Sequence, residues 1–159
     1  MYEYTDGNRM IYLGMILAIF TGELYIKHRV EKQKKWETQE MQPILCKKIR
    51  LRRFHNRGAC LNVGQKHPRA VAMVSLLFAG IMTVVFVMTL TKKGNRCLKT
   101  GLALLLGGAY SNTYDRLTKK YVVDYFSFVT PSTYFNRIVF NLSDLCIALG
   151  AMMTTVKML

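Results

Sequence analysis

Two carboxylates stand in segments that are otherwise apolar. Asp124 lies in YVVDYFSF, flanked by Val122, Val123, Tyr125 and Phe126. Asp144 lies in FNLSDLCIALGAMMTTV, among Leu142, Leu145, Ile147 and Leu149. Two aspartates brought close together cannot both ionise easily, so they share a proton across neutral pH. One then serves as base for a water and the other as acid toward a carbonyl oxygen or a leaving amine. Hydrolysis of a peptide bond is the chemistry such a pair supports. Two alternatives use fewer of these residues. A small proton-coupled transporter needs only one acid near mid-membrane, Glu23 or Asp144, and a purely structural polar pair would hold helices together.

Other polar residues keep helical spacing with these acids. Asn112 and Arg116 are four apart and Asn141 and Asp144 three apart, so each pair shares a helix face. Glu23, Lys27 and Asp115 complete the set that hydrocarbon would reject.

The elements that must position them are long and apolar. Ala70 to Leu90 runs 21 residues without a charge, enough to cross a hydrocarbon core of roughly 30 Å. Three weaker spans join it, at 10–26, 98–114 and 138–156. Glu3 and Asp6 precede the first where a secretory signal would carry basic residues, and no small-residue cleavage site follows, so it reads as a retained helix. The expectation is an all-α integral membrane protein with four transmembrane helices, a single membrane domain over residues 1–159. A basic loop, 27–69, follows helix 1, and an interfacial segment carrying Asp124 lies between helices 3 and 4. Alternate crossings put Glu23, Lys27, Asn112, Asp115, Arg116, Asn141 and Asp144 at one membrane face, with the loop and Asp124. If the fourth span starts at Ile138, Asp144 is about 9 Å inside it.

The chain carries 23 Lys and Arg against 9 Asp and Glu, a net charge of +14. Thirteen of the basic residues fall in 27–69, in runs such as KQKK and KKIRLRR. Beside a bilayer, such a loop meets anionic headgroups, at about 1 kcal/mol per residue near the surface; a solvated loop without a partner is the plainer alternative. It contains no nucleic-acid-binding motif, so no nucleic-acid partner is expected. His28, His55 and His67 are scattered and the four cysteines form no CxxC pair, so neither a metal site nor a cofactor is expected. Whether Cys46 pairs with Cys60 is left open by the sequence.

Four short elements, in order, carry a family resemblance. GGAYSNTYDRLTKKYVVDYF resembles the GG-A-x-G-N-x-x-D-R…V-V-D-F motif of signal peptidase II, the bacterial lipoprotein signal peptidase. FNLSD resembles its F-N-x-A-D, and FHNRGACL its N-x-G-A-A-F. Glu23 and Lys27 echo an Asp and a Lys at the end of its first helix. The resemblance implies a four-helix membrane aspartic endopeptidase with Asp124 and Asp144 as the catalytic pair. Asn112, Asp115, Arg116, Asn141, Glu23 and Lys27 match residues that line and support the site. Asn56 and Gly58 match an outer-loop motif that contributes a small β cradle on the membrane. The implied substrate is a prolipoprotein whose lipobox cysteine already bears diacylglycerol, cut just before that cysteine. The implied setting is the bacterial cytoplasmic (inner) membrane, multi-pass, with a monomeric enzyme active at the outer face. A catalytically inactive relative, serving as a scaffold or lipoprotein-binding protein, would keep the same residues.

The chain departs from the family pattern at several positions. Ser111 stands where the family has Gly, Ser143 where it has Ala, and Tyr125 where it has Phe. Glu23 replaces Asp and Arg57 a small residue, and NRIVFN lacks the usual Pro. Charge also runs against the implied orientation. The face assigned to the aspartates holds seventeen Lys and Arg and the opposite face six, whereas basic residues favour the cytoplasmic side.

Overall fold

The computed structural model describes residues 3–33, 48–59, 63–132 and 135–158. Cys46 and Cys60 lie outside these. Four helices carry most of the chain: α1 (Glu3–Glu31), α2 (Pro68–Leu90), α3 (Arg96–Thr118) and α4 (Leu142–Met158). Two strands, β1 (Ile49–Asn56) and β2 (Val122–Phe128), and a 3₁₀ turn (Phe135–Arg137) complete the elements among the described residues. The chain divides into two compact units, one made of Met1–Glu23, Met73–Tyr114 and Leu142–Leu159, the other of Leu24–Ala72 and Asp115–Asn141.

The first unit is a helix cluster centred on α3. Leu102, Ala103 and Leu106 pack with Tyr12 of α1 and Phe86 of α2, while Leu105 and Ala109 pack with Ala79 of α2 and with Ile147 and Ala151 of α4. Side chains of α3 are therefore buried on nearly every side between Gly101 and Thr113. Helix α2 does the opposite. Val74, Leu77, Phe78, Ile81, Val84 and Met88 are all exposed, a surface that water disfavours and lipid accepts. Among the described residues, two helical stretches, Arg9–Glu31 and Pro68–Leu90, are long and apolar enough to cross a membrane. Pro68 starts α2 where its missing N–H costs nothing.

Small residues let α3 and α4 approach closely. A Cβ on Gly108 would sit 2.5 Å from the backbone oxygen of Ser143 and 3.0 Å from Ile147 Cγ1. One on Gly150 would sit 2.6 Å from the backbone nitrogen of Leu105.

The second unit holds an antiparallel two-stranded sheet. The segment expected to lie as an interfacial stretch is strand β2, and its sequence hides this. Val122 to Ser127 are buried without alternation, so the period-two pattern that marks a half-exposed strand is missing. Register runs from Ile49↔Phe128 to Asn56↔Val122, with a one-residue bulge on β1 between Leu51 and Phe54. Past the bulge, Phe54 pairs with Asp124. Val123, Tyr125 and Phe126 pack with Val30 of α1 and with Ile49 and Leu51 of β1.

Residues just before α4 are extended. Phe140 bridges Phe126, its N–H donating to the Phe126 oxygen at 2.7 Å and its own oxygen accepting from Phe126 N at 3.0 Å and Tyr125 N at 2.9 Å. Helix α4 thus begins at Leu142 instead of Ile138, because Phe140 is committed to β pairing. Asp144 lies in the first turn of that helix, not the further turn inward that a start at Ile138 would give. A helix N-terminus suits a carboxylate, since its free N–H groups and dipole are positive there.

Candidate active site

Asp124 is buried, 1% exposed, in the middle of β2. Both of its oxygens accept amide hydrogen bonds. Asn141 Nδ2 donates to Oδ1 at 2.6 Å and Asn56 Nδ2 donates to Oδ2 at 3.1 Å. Each donor is delivered by a neighbour of β2. Asn56 closes β1 opposite Val122, and Asn141 follows Phe140, which bridges the strand. The Asn56 amide has its direction settled locally, because its Oδ1 accepts from Gly58 N–H at 3.0 Å, an Asx turn that leaves the NH₂ toward Asp124. Arg116 Nη2 then donates to the Gly58 oxygen at 3.2 Å, holding the turn from α3. Arg57 between them is exposed.

Beneath this cluster, Asp115 forms ion pairs with Lys27 Nζ at 3.2 Å and with Lys119 Nζ at 3.0 Å. Lys27 and Asp115 are 0% exposed. A buried pair of this kind is not a source of net stability, but removal of one member leaves a stranded charge costing about 3–5 kcal/mol. Lys119 was not among the residues that sequence pointed to; its four-residue spacing from Asp115 was the available signal.

Asp144 and its partners belong to the other unit. Asn112 of α3 donates from Nδ2 to Asp144 Oδ1 at 2.9 Å. Asp144 is half-buried, and Asn112 is buried. One residue before Asp144, the Ser143 hydroxyl donates to Glu23 Oε2 of α1 at 3.0 Å. Ser143 attracts notice in the sequence only as a departure from the family pattern. The signal for its partner was that Glu23 departs too. Ser111, another departure, is buried beside Asn112.

Each aspartate therefore accepts from at least one asparagine amide, an arrangement that orients the carboxylate. The geometry places Asn56 and Asn141 on Asp124, Gly58 and Arg116 on the Asn56 turn, Asn112 beside Asp144, Glu23 on Ser143, and Lys27 on Asp115.

Comparisons with known proteins give the family. The signal peptidase (SPase) II family matches residues 15–159. A lipoprotein signal peptidase of Mesorhizobium japonicum is 31% identical over 144 residues, 88% of this chain and 80% of its own. One from Allorhizobium ampelinum is 32% identical over 86% of this chain and 80% of its own length. One from Clostridium acetobutylicum is 30% identical over 72% of each. Two solved bacterial membrane enzyme structures share the fold, with TM-scores of 0.77 and 0.72. They cover 93% and 94% of this chain and 87% and 92% of theirs, each at 16% identity. With nearly the whole chain matched, this membrane protein belongs to the signal peptidase II family.

Proposed function

We propose that the chain is a membrane aspartic endopeptidase that removes the signal peptide from diacylglyceryl-modified prolipoproteins, cleaving before the lipidated lipobox cysteine. A water held between Asp124 and Asp144 is the nucleophile. The ionised aspartate takes a proton from the water as it attacks the scissile carbonyl, and the protonated one donates to the developing oxyanion; on collapse the proton taken from water passes to the leaving amine, and the diol hydroxyl returns its proton to the other aspartate. The observation that carries this reading is the pair of amide cradles, Asn56 and Asn141 on Asp124 and Asn112 on Asp144. Only Leu142 and Ser143 separate Asn141 from Asp144 in the chain, which supports a common site.

The other residues take supporting roles. Arg116 and Gly58 hold the Asn56 turn, and the Lys27–Asp115–Lys119 group anchors the end of α3. All four helices cross the bilayer of a bacterial cytoplasmic membrane in this reading, with the aspartates at its outer face. A substrate anchored by acyl chains and a signal helix presents its scissile bond at that depth. Basic residues of 27–69 meet anionic headgroups, and the enzyme acts as a monomer without cofactor.

Cleavage of a diacylglyceryl-modified lipobox substrate in detergent, followed by gel shift, tests the proposal. Turnover is expected from wild type and should fall at least about 10³-fold in Asp124→Asn and in Asp144→Asn, the order seen when one member of a catalytic set is removed. Full turnover in either variant would rule out the dyad. A wild type that binds the substrate without cutting it would point to the scaffold.

A further inference from the structure

We propose that Ser143 and Glu23 form a positioning pair that sets the direction of the Asp144 carboxylate, an inference that rests on reading Asp144 as half of the dyad. Two of the chain's departures from the family pattern meet in one hydrogen bond. The Ser143 hydroxyl, present where the family has Ala, donates at 3.0 Å to Oε2 of Glu23, a side chain one methylene longer than the family's Asp. Both groups are fully enclosed, Glu23 at 1% and Ser143 at 0% exposure. A serine so enclosed does not reach substrate, so its influence passes through its neighbour.

That neighbour is Asp144, in the first turn of α4, where a helix is least constrained by its own hydrogen bonds. Successive side chains of a helix are turned by about 100°, so fixing Ser143 fixes Asp144. Contacts from two helices act on this turn. The Ser143 hydroxyl is tied to α1, the Ser143 carbonyl lies against Gly108 of α3, and the Asp144 carboxylate accepts from Asn112, one turn beyond Gly108. Without the tie to α1, the turn loses one of its anchors and can shift about its contact with α3. A reacting group displaced by about 1 Å loses up to 10²-fold in rate.

The test is a mutant cycle on the full-length enzyme in detergent, with kcat, KM and thermal midpoint measured for Ser143→Ala, Glu23→Asp and the double variant. Each single change is expected to lower kcat about tenfold, the order for a hydrogen bond to a charged group, with KM within about twofold because substrate contacts are untouched. The double variant is expected to lose no more than the worse of the two single changes, since the one hydrogen bond can be lost only once. Ser143→Cys keeps the volume but donates weakly, and its kcat should fall in the same way even if Ser143→Ala does not fold. Unchanged kcat in both Ser143 variants, with or without a lowered midpoint, would overturn the positioning role and leave the dyad standing. Multiplicative losses in the double variant would overturn the pairing. A wild type without turnover would remove the dyad, and this inference with it.

Discussion

At the scale of single residues, the candidate site is a set of asparagines aimed at two acids. Asn141 makes the shorter contact with Asp124, 2.6 Å, from a fully buried position, while Asn56 makes a longer one, 3.1 Å, from a half-buried turn. Their removal should therefore differ in effect. A hydrogen bond to a charged group contributes about 1.5–3 kcal/mol, roughly ten- to a hundredfold in rate. Asn141→Ala is expected to lower kcat across that range, and Asn56→Ala by less than about tenfold because water can replace a half-buried donor. Equal losses in the two, measured on the same lipidated substrate, would mean that burial does not govern these contacts. Sequence named both asparagines, through motif and spacing. It did not pair Ser143 with Glu23, because a contact between residues 120 positions apart leaves no local periodicity to read.

At the scale of elements, the helices were legible and the sheet was only partly so. Continuous apolar runs mark α1 and α2 without help from any partner. Helix α3 is harder, because its burial on all sides tolerates Ser111, Asn112 and Thr113 among its apolar residues. The β1 bulge was invisible, since inserting one residue in a basic run such as IRLRRFHN changes no pattern. It matters for register: Leu51 faces Phe126, and one residue fewer in β1 would carry Asn56 away from its place beside Asp124. Close approach of α3 and α4 is the other element-level requirement. Gly108→Ala would press a methyl within 2.5 Å of the Ser143 oxygen, backbone that cannot swing aside. Overpacking of this kind costs about 1–3 kcal/mol, and the strain lies one turn from the Asn112–Asp144 contact. A lowered thermal midpoint together with lost turnover is expected. A variant with wild-type midpoint and activity would show that the helices have room to separate there.

At the scale of the whole molecule, charge and proposed function pull in opposite directions. Positive-inside counting places seventeen Lys and Arg with the aspartates and six on the other face, which by itself favours a cytoplasmic site. Several of the seventeen are held by fold contacts. Lys27 and Lys119 pair with Asp115, Arg52 donates to the oxygens of Asn136 and Arg137, and Arg53 donates to that of Glu31. Once folded, these residues are satisfied on either side of a membrane. During insertion they are not, so the orientation must be decided by something other than the loop's final contacts. The proposed substrate decides what the orientation has to be, because a diacylglyceryl-bearing cysteine beyond a signal helix is cut on the side to which the signal has been exported. With four crossings, both chain ends then lie in the cytoplasm. A fluorescent protein fused after Leu159 should therefore fluoresce, and alkaline phosphatase fused there should be inactive. Phosphatase inserted at Lys66, within the basic loop, should be active. The reverse pattern would put Asp124 and Asp144 where no exported lipoprotein reaches them, and the substrate, though not the dyad, would have to be sought among cytoplasmic peptides.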